Sequence, residues 1–227
     1  EVIPDIMKST HYTYPEHFKS AWDDFTINIP KWTNTLKRFK DKPNLNFLEL
    51  GTAQGRATVW LLEEILTGEN CKIITVDQNI SKDVRNYWVS NDWWEDKKNI
   101  VVKYNVLNNL KPYMETNKCD FYQEQTSNFF KLLSTKIGIE PIFDFIYIDG
   151  NHDEKAVIKD AISSFRILKK GGIIAFDDYL LGIRYPDSPG SKAMNGSTKR
   201  AIDYFLGVFQ DEIEVIHKDY QVWIRKR

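Results

Sequence analysis

The sequence predicts an α/β protein with a doubly wound, mostly parallel sheet, and three features of the chain carry that reading. Four short runs rich in Ile, Val, Phe and Leu, at 46–51, 72–77, 143–150 and 172–178, are nearly unbroken in their apolar character, as strands buried on both faces are. Helical stretches separate these runs, so each strand can cross over to a parallel neighbour. The last stretch, 214–226, alternates polar and apolar residues instead, which suits a closing antiparallel pair.

Residues 1–44 have no strand pattern, and "HFKSAWDDFTINIPKW" mixes aromatics with acids; this part is expected to form a helical cap or lid on a core spanning 45–227. After the first strand, "NFLELG", the helix "RATVWLLEEIL" places Val59, Leu62 and Leu66 on one face, with Gly68 expected as its C-cap. "KIITVD" follows as the second strand. The aromatic run holding Tyr87, Trp88, Trp93 and Trp94 suits core packing or a contact between copies in a homo-oligomer better than stacking on a purine. "CDFYQEQ" (119–125) is a weaker third strand, and "FDFIYIDG" is the fourth. The next helix is expected to be capped by Asn151, with Glu154 completing a capping box and Asp153 and Glu154 at the positive end of its dipole. Val157, Ala161, Phe165 and Leu168 form its apolar stripe, and Lys169, Lys170 and Gly171 are expected to end it. After "GIIAFDD" comes a Pro-, Gly- and Ser-rich stretch at 180–197, either a functional lid or a plain connection.

Composition limits the partners. With 227 residues, 42% of them hydrophobic, one domain can bury a full core. A balance of 31 basic against 32 acidic side chains, net −1, offers no electrostatic attraction to nucleic acid or to a membrane surface. Cys71 and Cys119 stand alone without metal or redox spacing and read as reduced structural thiols. The N-terminal residues lack the charged start and apolar middle of a signal peptide, so a soluble, cytoplasmic protein is expected. The first residue is Glu1, which leaves open both a trimmed chain and a domain of a longer polypeptide.

The chemistry is expected where the parallel strands end, because ligands of open α/β sheets bind in the crevice at that rim. Acids cluster there: Glu49 near the end of the first strand, Asp77 at the end of the second, Asp149 after the fourth, Asp177 and Asp178 after the fifth. The turn "ELGTAQGRAT" lets backbone approach a ligand at Gly51 and Gly55 and opens a helix whose amides can face negative charge. Asp77 comes 22 residues after Gly55, an interval suited to gripping ribose hydroxyls. The spacing G-x-x-x-G fits a dinucleotide pyrophosphate less well than G-x-G-x-x-G. Two like charges about 4 Å apart repel by about 4 kcal/mol at an effective dielectric near 20. Asp149, Asp177 and Asp178 therefore need a cation or protonation if all three meet, and oxygen ligands suit Mg²⁺ or another hard divalent ion. Any one of these aspartates alone can instead cap a turn. His152, three residues beyond Asp149, can accept a proton near neutral pH or merely pack at the helix start. His11, His17 and His217 lie away from this rim.

"FLELGTAQGRATVWLL" resembles the first motif of class I S-adenosylmethionine-dependent methyltransferases, which have a Rossmann-like fold. "IDGNHD" with "LKKGGIIAFDDY" looks like their small metal-dependent O-methyltransferase branch, catechol-type enzymes and macrocin-type enzymes that methylate sugar hydroxyls. The likeness covers about residues 45–225. It implies that Glu49, Gly51, Thr52 and Gly55 surround the methionine part of the cofactor, that Asp77 holds the ribose, and that Gln125 and Thr126 lie beside adenine. Asp149 would also border the cofactor, and Asp149, Asp177 and Asp178 would coordinate the metal. His152 falls where catechol-type enzymes carry a lysine base. The third motif, "YQEQTSN", lacks the family's usual Gly-Asp or Gly-Ala character, and neither the N-terminal region nor 180–197 maps onto it, so the acceptor is not inherited. A nicotinamide-dependent dehydrogenase and a noncatalytic nucleoside-binding module are the distant rivals; among hydroxyls of small molecules or glycans the polar rim favours a sugar hydroxyl, with a catechol-type or other small-molecule acceptor as the alternative.

Overall fold

The apolar runs become neighbours in one seven-stranded sheet. The computed structural model describes residues 12–20, 23, 25–78, 96–137, 140–184 and 195–227. The strands are β1 (Asn46–Leu50), β2 (Lys72–Val76), β3 (Cys119–Tyr122), β4 (Phe143–Ile148), β5 (Leu168–Phe176), β6 (Ile213–Lys218) and β7 (Val222–Lys226). Their order is β3-β2-β1-β4-β5-β7-β6. Strands β1 to β5 pair in parallel, and β7 pairs antiparallel with both β5 and β6. The chain direction of winding reverses between β1 and β4, the place where a crevice opens in such sheets. This is the expected doubly wound, Rossmann-like fold with its closing antiparallel pair.

Among the described residues, six α-helices cover the sheet: α1 (Ile29–Leu36), α2 (Arg56–Glu64), α3 (Asp96–Glu115), α4 (Thr126–Ile137), α5 (Glu154–Ile167) and α6 (Ser197–Val208). Strand alternation divides the core. Phe47, Ile73, Phe145, Tyr147, Ile173 and Trp223 face α1 and α2, while Leu48, Leu50, Ile146, Ile148, Ile174 and Ile224 face α5 and α6. In the N-terminal part expected as a cap, α1 is a core helix. Its Trp32 is fully buried and meets Trp60, Phe145, Tyr147 and Trp223 edge-on at centroid distances of 4.7 to 6.0 Å.

Five local expectations are corrected. Asp153, not Asn151, caps α5: its Oδ1 accepts from the amides of Lys155 and Ala156, while Asn151 Oδ1 holds the Asp153 amide in a preceding turn. Glu154 does not reach back to complete a box but pairs with Arg200 at 2.8 Å. Residues Leu168 to Gly171, expected as the helix end, begin β5, because Leu168 finds a ladder partner in Phe143. Between that pair and Phe145–Ile173 the register shifts, and Gly171 at φ +75° absorbs the irregularity. Gly68 is not a C-cap, since α2 ends at Glu64 with Ile65 in helical conformation; a Cβ there would lie 2.1 Å from the Lys42 carbonyl, so glycine lets two backbones touch. The third strand is shorter than the 119–125 expected. Cys71 and Cys119 are buried and free, as read. The Tyr87–Trp94 aromatic run, His11 and most of 180–197 lie outside the described residues, and α6 starts where that stretch ends.

Candidate active site

Ladder hydrogen bonds set the rim. The amide of Asp77 donates to Tyr122 O (3.0 Å), Gly51 to Val76 O (2.8 Å), Asp149 to Leu50 O (2.8 Å) and Asp177 to Ile148 O (3.0 Å). Each strand's last carbonyl thus fixes the first residue past its neighbour, and the four positions line up along one sheet edge. Gly51 is required by this closeness. A Cβ on it would fall 1.9 Å from the Asp149 carbonyl, and its φ is +98°, which L side chains avoid.

On the β2 side, Asp77 Oδ2 accepts from the amides of Thr52 and Ala53, 2.7 Å each, so the turn after β1 forms an anion cradle. Gly55, at φ +82°, opens α2. Glu49 is buried below the rim, where its Oε2 accepts from the hydroxyls of Thr58 and of Thr75 (2.6 Å), and Thr52 Oγ1 lies 2.5 Å from Thr75 Oγ1. It acts as a strut under the turn. Gln125 is exposed and its carbonyl starts α4, accepting from Asn128 and Phe129 at 3.0 Å. Thr126 donates to Asp160 at 2.7 Å, joining α4 to α5.

The other side of the crevice gathers Asp149, His152 and Asp178, whose ligand atoms all lie within 4.8 Å of one another, each side chain half-buried. His152 Nε2 is 2.8 Å from Asp178 Oδ2. Burial works against a charged imidazole, but the hydrogen bond and charge of Asp178, with Asp177 behind, outweigh it and raise the His152 pKa above its ordinary value. Burial acts in the opposite sense on Asp178, where the His152 bond, the His152 charge and the Tyr220 hydroxyl hold the carboxyl below the usual range.

Asp177, expected beside the other two as a ligand, turns into the sheet instead. Its Oδ2 accepts from Tyr147 Oη and from Gln221 Nε2 (2.9 Å). Tyr147 Oη also lies 3.0 Å from Asp149 Oδ2, so one phenolic proton serves two carboxylates. Burial and the charge of Asp178 push Asp177 up to about 6. A cation between Asp149 and Asp178 would relieve the same repulsion, and two carboxylates with an imidazole nitrogen form a donor set that a divalent ion accepts.

Residues 48–179 match a family model described as a methyltransferase domain. The chain belongs to this methyltransferase-domain family. The resemblance to methyltransferases read from the glycine turn is thereby borne out. The methyltransferase domain is similar in fold to many solved structures, three of which follow. One is the O-methyltransferase from Bacillus cereus in complex with SAH, at 15% identity and a TM-score of 0.54 over 94% of this chain and 84% of that one. Another is the O-methyltransferase TomG from Streptomyces achromogenes, involved in tomaymycin synthesis, in complex with SAM, at 14% identity and 0.53 over 85% and 76%. The third is MycE from the mycinamycin biosynthetic pathway, in complex with Mg, SAH and mycinamycin VI, at 13% identity and 0.56 over 90% of this chain but only 50% of that one. No curated protein sequence matches this chain.

Three side chains that bond the rim acids escaped the sequence reading. Tyr147 was legible in principle, since it precedes Asp149 by two residues and so shares its face of β4. Tyr220 and Gln221 reach the site only through the pairing of β5 with β7 and carry no local signal.

Proposed function

We propose that this methyltransferase domain transfers a methyl group from S-adenosylmethionine to a hydroxyl oxygen of a small molecule or glycan, a sugar hydroxyl above others, with a divalent cation and His152 as general base. One observation carries it: His152 and Asp178 are hydrogen-bonded at 2.8 Å within a cluster that includes Asp149, on the rim that also holds the glycine turn and Asp77. The complexes of the fold neighbours with SAM or SAH, and of MycE with Mg, support the same reading.

Gly51, Thr52, Gly55 and Asp77 would hold the cofactor. The Asp77 carboxylate anchors the turn through the amides of Thr52 and Ala53 at its Oδ2, and it would also bond the ribose hydroxyls. Asp149 and Asp178 would hold the cation, with Asp177 bracing them. S-adenosylmethionine supplies an electrophilic methyl on a sulfonium, and the cation supplies Lewis acidity that lowers an alcohol pKa from near water's value of about 15.7 toward the range of imidazole. Asp178 accepts a hydrogen bond from the Nε2–H of neutral His152, and Nδ1 would take the hydroxyl proton. The same carboxylate then stabilises the imidazolium. Catechols need less acidification, whereas the acid-rich rim suits an aliphatic hydroxyl.

A second reading places His152 on the cation as a third ligand, favoured by the grouping of its nitrogen with the two carboxylates. Pulsed EPR of bound Mn²⁺ separates the two, because a ligating imidazole gives nitrogen hyperfine coupling and a base held by Asp178 gives none. The overall assignment is tested by a labelled-methyl transfer assay over sugars, glycans and catechols, with and without EDTA. Methylated sugar product that disappears with chelator is the expected result. Hydride transfer from NADH, or no methyl transfer to any hydroxyl, would refute it.

A further inference from the structure

We infer that Tyr220, in the turn between β6 and β7, is a positioning residue that fixes the carboxylate of Asp178 at the cation site, an inference that rests on Asp178 being a ligand. Asp178 stands at φ +56°, at the point where β5 has ended, so its own strand does not hold it. Its carboxylate is gripped at both oxygens: Oδ2 meets His152 Nε2 at 2.8 Å and Oδ1 accepts from Tyr220 Oη at 2.8 Å. The backbone of the two segments is also joined, with the Tyr179 amide donating to Tyr220 O at 2.9 Å. Rotation of the carboxylate about its Cβ–Cγ bond would exchange the two oxygens, and the Tyr220 hydroxyl opposes that rotation from the side away from His152.

The ring that carries the hydroxyl is itself held. The Arg184 guanidinium lies over it at 5.6 Å and pairs with Asp219, which ties the start of the 180–197 stretch to the hairpin turn. The next residue, Gln221, serves the neighbouring acid in the same way. It donates to Asp177 at 2.9 Å while its Oε1 accepts from the indoles of Trp32 (3.0 Å) and Trp223 (3.2 Å). The C-terminal hairpin thus braces both acids that follow β5, and supports of this kind around a metal ligand typically change affinity by about 10–100-fold.

The test compares Tyr220→Phe with the wild-type chain, using Mn²⁺ as the probe and EPR of the free ion as the readout. Phenylalanine keeps the ring packing and removes only the hydroxyl. Weaker Mn²⁺ binding by about tenfold or more, with the metal-free melting temperature and S-adenosylmethionine affinity unchanged, is the expected result. Wild-type Mn²⁺ affinity in the variant would overturn the role of Tyr220 while leaving the cation reading intact. Failure of the wild-type chain to bind Mn²⁺ would remove the cation reading and this inference with it.

Discussion

Gly51 and His152 mark the two demands made on single residues at this rim, one steric and one chemical. Adding a methyl group at Gly51 drives it to 1.9 Å from the Asp149 carbonyl at a φ of +98°. Gly51→Ala should therefore cost more than about 3 kcal/mol, seen as a large fall in melting temperature. At His152 the expected loss is in rate. His152→Ala should lower turnover by about 10²–10⁴-fold, the usual contribution of a general base, with the calorimetric affinity for S-adenosylmethionine nearly unchanged; unaltered turnover would remove its catalytic role. Asp149, Asp177 and Asp178 were legible because a buried strand that ends in acids can only present them at the rim. What each acid does was not legible. Asp177 is distinguished from Asp178 by Tyr147, from β4, and Gln221, from the turn before β7.

Between elements, α4 and α5 are joined by a buried carboxylate. Asp160 is 3% exposed and accepts from Thr126, and burial raises its pKa from 3.8 to about 6. The folded chain then binds this proton more tightly than the unfolded chain does. Through this group, stability rises as pH falls from about 6 toward about 4 and is reduced at neutral pH by about 3 kcal/mol at most. Asp160→Asn keeps an oxygen for Thr126 and loses the charge, so it should raise the melting temperature at pH 7.5 by about 5 °C and leave it unchanged near pH 4. Equal shifts at both pH values would refute the assignment. On the opposite face, Trp32→Ala removes the ring that docks α1 and should cost about 3–5 kcal/mol, measured by denaturant unfolding. Helix and strand types were readable from their apolar periods, yet the boundary at Leu168 was not. There the sequence "LKKGG" satisfies every local rule for a helix end, and the ladder with β4 overrides it. The cap of α5 moved from Asn151 to Asp153 for a similar reason: both can accept amide protons, and the path of the chain out of β4 decides which one does.

The whole molecule joins the glycine turn and Asp77 on one side to the acid cluster on the other, across the point where strand order reverses between β1 and β4. That arrangement could be read from the sequence, because strand-end acids and a glycine turn only converge if the sheet is parallel and doubly wound. The hairpin's part in the site could not, since Tyr220 and Gln221 follow β5 by some forty residues and arrive through antiparallel pairing. The most direct test of the account is a crystal structure of the chain with S-adenosylhomocysteine and Mn²⁺, collected where manganese scatters anomalously. The account predicts an anomalous peak bonded to Asp149 and Asp178, with the nucleoside between the Gly51–Gly55 turn and Asp77. A nucleoside bound elsewhere, or no manganese within bonding distance of those two carboxylates, would contradict it.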